Sequence, residues 1–272
     1  MAPDSPSSLR DRDPDAPPLH PSGDDVGKPY LHDVRFLTDR HQQVAGVFVT
    51  TTAVRPADEA TAVPLSLALR EGTRAEHESA ESSGFVEQLL GGHLDRDAYA
   101  ALAVQQLAVY TALEAAGARL VAAGADRGLV FDELTRVPAI ETDLAYLLGD
   151  DWRERVVFLP ATLAYTQRLE ACGDDLSLYA AHAYTRYLGD LSGGQIIKRM
   201  MQRHYGFEQD GIAFYDFPEI HKLKPFKDVY RERLDALPLD EAQREAVVEE
   251  ARVAFRLNQA VFAELGAARA QA

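Results

Sequence analysis

The run Tyr184-Thr-Arg-Tyr-Leu-Gly-Asp-Leu-Ser-Gly-Gly-Gln195 sets three glycines within six positions of a segment that otherwise reads as one long amphipathic helix. Each glycine costs about 1 kcal/mol relative to alanine in a helix interior. Gly189 and Gly193 are four apart and share a face, with Gly194 beside it. A face without side chains, kinked at that point, lets the backbone approach something broad and flat. A bare G-x-x-x-G reads first as a close helix crossing. Here Asp190 stands among the glycines, and a carboxylate serves a ligand pocket better than a packing seam.

A second candidate is His77, in Leu69-Arg-Glu-Gly-Thr-Arg-Ala-Glu-His-Glu-Ser-Ala-Glu81. A lone helical histidine is commonly structural or exposed. This one has Gly72 and Thr73 one turn before it and Ala80 one turn after. Arg70 lies seven residues earlier on roughly the same side, about 10 Å along the axis. That is close to the span from the centre of a porphyrin to its carboxylate edge. Glu81, four residues on, is spaced to accept the other ring N–H and orient the imidazole. One helix thereby offers an axial ligand and an anion clamp together.

The other seven histidines carry less. His20, His32 and His41 fall before the helical region; His93, His204 and His221 read as solvent-exposed; His182 faces away from Tyr184. No Glu-x-x-His pair suits a di-iron site, because Arg74 holds the place of the glutamate. Zinc signatures, a Cys-x-x-Cys-His, a phosphate-binding loop, a dinucleotide fingerprint and a nucleophile elbow are all missing from the sequence. Cys172, in a Cys-Gly-Asp-Asp turn, reads as incidental.

Elements that position these residues are helical. Almost everything from Pro64 on has a helical period. Helices are predicted from Pro64 to about Ser82, over 84–90, and over 97–123 with Leu102, Val109, Leu113 and Leu120 on one face. Others follow at 131–148, 160–172, 175–205, 219–236 and 239–266. No strand pair and no fixed repeat is legible after residue 64. The expected fold is a single all-α domain over 64–270, helix packed on helix.

In front of it, nine of the 14 prolines lie at or before position 64. Residues 1–63 read as an extension, mostly disordered, with a short ordered piece near 44–54. That extension resembles neither a secretory signal nor a transit peptide, and no stretch is apolar enough to anchor the chain in a membrane. One cysteine in 272 residues fits a reducing compartment, so a cytoplasmic location is expected. A net charge of −15 argues against nucleic acid as partner. Positive charge is nonetheless gathered at Lys198, Arg199, Arg203 and His204, and again at Lys222, Lys224, Lys227, Arg231 and Arg233. Such a patch suits an anionic ligand or partner, or is simply a solvated helix face.

The His77 string and Ala181-His-Ala-Tyr-Thr-Arg-Tyr-Leu-Gly-Asp-Leu-Ser-Gly-Gly-Gln195 closely resemble the proximal and distal helices of the haem oxygenase family. Phe226-Lys-Asp-Val-Tyr-Arg-Glu-Arg233 and Ala254-Phe-Arg-Leu-Asn-Gln-Ala-Val-Phe262 are similar to it as well, in order and at family spacing. The likeness covers roughly 64–266 and looks like the soluble bacterial branch. It implies haem b as substrate and cofactor at once, its iron held by His77 with Glu81 behind. It implies propionates held by Arg70, Tyr184, Lys227 and Arg231, with Arg70 where the family commonly has Lys. Gly189 and Gly193 would bring backbone onto the haem, and Asp190, Arg186, Tyr110 and Asn258 would order a buried water network that delivers protons. The implied reaction uses O2 and an external electron donor, a ferredoxin or flavoprotein reductase, and yields biliverdin, carbon monoxide and ferrous iron. Two rivals remain: a haem carrier without turnover, and a thiamin-degrading relative of the fold, which needs a pocket cysteine.

Overall fold

The structure, a computed structural model, describes residues 63–270. The extension expected over 1–63 lies, but for Val63, outside the described residues, as does the candidate ordered stretch at 44–54. Ten α-helices and no strand occur among the described residues. They are α1 (Leu65–Gly72), α2 (Arg74–Glu81), α3 (Gly84–Leu90), α4 (Arg96–Ala122), α5 (Val137–Leu148), α6 (Pro160–Ala171), α7 (Leu176–Ala183), α8 (Gly194–Tyr205), α9 (Leu223–Asp235) and α10 (Glu241–Ala270).

Start signals explain several boundaries. Asp95 caps α4 by accepting from the Ala98 amide at 2.9 Å, and Asp175 caps α7 through the Ser177 amide at 2.8 Å. Prolines sit in the first turns of α5 and α6, where a missing N–H costs nothing. Two long helices organise the rest: α4 packs on α5, α6 and α7, while α10 packs on α1, α2, α3, α4, α6 and α7. Tyr110, Leu113 and Leu120 of α4 are fully buried between them. Each such leucine contributes about 1.5–3 kcal/mol.

Two predicted helices are broken, and both breaks lie at the candidate site. The helix expected to run to Ser82 divides at Thr73 (φ −111°, ψ 10°) into α1 and α2. Its cause is long-range. A Cβ on Gly72 would come within 2.5 Å of Val248, so α1 lies hard against α10. Arg252 Nε of α10 donates to the Gly72 carbonyl at 2.7 Å, drawing it out of the helical ladder. The Thr73 hydroxyl meanwhile donates back to the Leu69 carbonyl at 2.8 Å. Arg70 and His77 therefore lie on two short helices rather than two turns of one.

The helix expected over 175–205 divides too. After α7 the chain widens into a π-helical segment, Tyr184–Leu188, and α8 begins only at Gly194 after a turn at 191–193. A π segment inserts one residue into the helical register and is frequent at functional sites.

Candidate functional site

Gly189 is exposed although Leu188 and Asp190 beside it are buried. A Cβ built on it would meet nothing within 4 Å, so its face of the helix opens onto space. Gly193 is partly open, its nearest neighbour being the Gly189 carbonyl at 3.6 Å. Gly194 belongs elsewhere: a Cβ there would press on the Tyr215 ring at 3.3 Å. The expectation that Gly194 lies beside the open face is thus corrected, because the turn at 191–193 rotates it into the core.

Behind that open face stands a buried polar group. The Tyr110 hydroxyl of α4 donates to Asp190 Oδ2. Arg186, from the π segment, lies over the Tyr110 ring at 4.8 Å and donates through Nη1 to Asn258 Oδ1 of α10 at 2.7 Å. Burial pushes the Asp190 carboxyl up to about 6, against the pull of Arg186 and the Tyr110 hydrogen bond. The Tyr110 phenol is driven well above its ordinary range, first by burial. Arg186 Nε, Tyr165 OH and Tyr215 OH are buried with no protein partner. A cavity of ≈ 10 Å³ touches Val109, Arg186 and Asn258, about the room one water needs.

The floor under Asp190 is itself polar. Arg136 is buried and donates to the Phe214 carbonyl at 3.2 Å, while Asp143 accepts from the Ala213 and Phe214 amides at 2.7 and 2.8 Å. These bonds fix the turn over 213–215 against which Gly194 packs.

His77 is partly buried on α2, with its ring edge-on to Phe255 of α10 at 5.8 Å between centroids. The side chain of Glu81 lies outside the described residues. Cations from α1 and α9 gather around Tyr184 of the π segment. Burial raises the Tyr184 phenol to about 12, opposed by the nearby charges of Arg231 and Arg70. Lys227 is lowered by burial and by Arg231, and its Nζ donates to Ser192 Oγ at 3.1 Å, stitching α9 to the glycine turn. Arg70, Tyr184, Lys227 and Arg231 therefore share one neighbourhood. Lys198 pairs with Asp216 and so adds little net charge to the basic face.

Sequence reasoning passes over His182, which is fully buried and bonded to Glu250 Oε1 at 2.8 Å; Arg168 Nε donates to the same oxygen at 2.7 Å and its Nη2 to Oε2. Burial alone would raise Glu250, but hydrogen bonds from His182 and Arg168 hold it down at about 2. No local signal announces this trio, whose members are 68 and 82 residues apart.

An all-helical body with one bare helical face, an imidazole and an anion-ready edge describes a binder of a flat, dianionic ligand. The sequence model described as Heme oxygenase matches residues 63–264. "Heme oxygenase 1" of Synechocystis is 39% identical over 204 residues, covering 75% of this chain and 85% of that protein. "Heme oxygenase 1" of Homo sapiens is 38% identical over 215 residues, covering 78% and 75%. Among solved structures, heme oxygenase-1 from Synechocystis in complex with heme superposes with a TM-score of 0.71 at 39% identity, over 75% of this chain and 92% of that one. The structure of heme oxygenase from Leptospira interrogans gives 0.71 at 36%, over 74% and 100%. The chain belongs to the haem oxygenase family.

Its residues fit haem. The space over Gly189 is what a ring face would fill, and the cations around Tyr184 suit two ionised propionates.

Proposed function

We propose that haem b lies between α2 and the glycine-bearing turn, with the reaction of the family: O2- and reductant-dependent opening of haem to biliverdin, carbon monoxide and ferrous iron. The observation that carries the geometry is Gly189, open to 4 Å in a helix whose neighbouring residues are buried. When bound, haem supplies both the iron that activates dioxygen and the carbon skeleton that is cut.

The chain's own residues do the rest. His77 would hold the haem iron through a neutral ring nitrogen, with Phe255 limiting the swing of the ring. Arg70, Tyr184, Lys227 and Arg231 hold the propionate edge. Gly189 and Gly193 present backbone alone to the ring, so nothing bulky competes with dioxygen there. Burial lets Asp190 hold a proton up to about pH 6, where an ordinary carboxyl has already lost it, and Tyr110 holds the carboxyl in place. Arg186 and Asn258 fix the water through which that proton travels.

Electrons come from a ferredoxin or flavoprotein reductase steered to the basic surface around exposed Lys222 and Lys224. Among the described residues no helix is long and apolar enough to cross a membrane. The test is optical. Purified protein with hemin and a reductant in air should lose its Soret band and gain bile-pigment absorption. A Soret band that persists makes the protein a haem carrier without turnover. His77→Ala should change the Soret position and halt the reaction, and an unaltered spectrum would remove His77 as the ligand.

A further inference from the structure

Cys172, His182 and Glu250 offer one ligand atom each, all within 4.8 Å of one another, and all three residues are buried. They come from the C-terminus of α6, from α7 and from α10. None of them faces the open side of Gly189, and the haem site uses none as a ligand. We propose that these three side chains bind one borderline-soft divalent cation, zinc or an ion of like chemistry, at a site separate from the haem.

The ligand chemistry is that of a zinc site: one thiolate, one imidazole, one carboxylate, with the fourth position left to water. His182 Nε2 and Glu250 Oε1 stand 2.8 Å apart around a shared proton. Replacing that proton with a cation requires the two atoms to part by roughly half an ångström, given bonds of about 2.0–2.1 Å to each. The ring proton then moves to Nδ1. That nitrogen is buried with no protein partner, so the only hydrogen bond given up is the one from Nε2 to Glu250, which the cation replaces.

Cys172 Sγ must close by about an ångström to bond at about 2.3 Å. It ends α6 just before Gly173, whose φ of +56° makes a turn with nothing within 4 Å of a built Cβ. Cys172 Sγ donates to the Arg168 carbonyl at 3.2 Å, so the metal-free protein holds it as S–H. Binding forms the metal–sulfur bond, breaks S–H and releases that one proton to solvent. Arg168 is the competitor, since its guanidinium already grips Glu250. Its side chain is 40% exposed and is free to swing outward when a dication takes over the carboxylate.

Cobalt reports the site directly. Co2+ titrated into the haem-free full chain should give a thiolate-to-cobalt charge-transfer band saturating at one equivalent and bleached by Zn2+. Zinc retained after gel filtration should fall from one per chain to none in Cys172→Ser, with the band lost and circular dichroism unchanged. Arg168→Gln removes the competitor and should bind cobalt several-fold more tightly, a gain that misfolding cannot imitate. A parent protein without the charge-transfer band, zinc held equally by Cys172→Ser, or weaker binding in Arg168→Gln would each overturn the site.

Discussion

Gly189→Ala separates a ligand-facing glycine from a packing glycine. The backbone at 189 is ordinary right-handed helix, φ −60° and ψ −50°, so alanine meets no conformational strain. A methyl there finds nothing within 4 Å in the haem-free chain. What remains is helix propensity, about 0.8–1 kcal/mol in favour of alanine. For a domain of this size that raises Tm by about 2–4 °C. With haem present the sign reverses. A methyl forced between backbone and ring costs about 1–3 kcal/mol of overpacking, a roughly 5- to 150-fold fall in kcat/KM. The assay pairs a thermal melt of haem-free protein with biliverdin formed at limiting haem. Gly194→Ala is the control: its methyl meets the Tyr215 ring at 3.3 Å, so haem-free stability should drop. Should Gly189→Ala lose haem-free stability, or turn over haem unimpaired, the open face is not where the ring lies.

Three further outcomes are expected. Asp190, at about 6 against an ordinary 3.8, favours its protonated form in the fold, so its stabilising contribution is full below about pH 3.8 and lost as pH rises through about 6. Asp190→Asn escapes that loss and should exceed the parent in stability at pH 8 by up to about 3 kcal/mol, with the gap closing below pH 4, while biliverdin formation falls 100-fold or more. Urea melts at the two pH values check the first, and a gap independent of pH refutes it. Haem dimethyl ester, whose carboxyls carry no charge, should bind the parent about tenfold more weakly than haem. Lys227→Ala/Arg231→Ala should bind the two alike; a parent indifferent to esterification would place the cations away from the propionates. Finally, a chain trimmed to 63–270 is expected to bind haem with the parent's Tm, and a lower Tm would give residues 1–62 a part in the fold.

The helical content was legible because apolar residues recur with helical period over long runs, as in Leu102, Val109, Leu113 and Leu120, of which all four are buried. What escaped were the interruptions. Thr73 breaks a helix for reasons supplied by Val248 and Arg252, which lie more than 170 residues away. The π segment contains no glycine or proline to mark it, so periodicity passes over it. At the site, within-helix spacing identified residues that share a face but not the face each one meets. Gly194 went to the wrong side for that reason, and His182 was dismissed for lying off the Tyr184 face when that was the face meeting Glu250. Pairs such as Tyr110 with Asp190, 80 positions apart, entered only through likeness to a family.

Phe255 and Asn258 are three residues apart on α10, yet one abuts the His77 ring and the other grips Arg186. Less than a single helical turn thus gauges the gap between the two walls that would clasp the macrocycle. Adding or deleting a residue inside that turn would swing one contact away by about 100° while sparing the other. Side chains along the outer face of this rod can be exchanged, but its length between those two points is not open to revision.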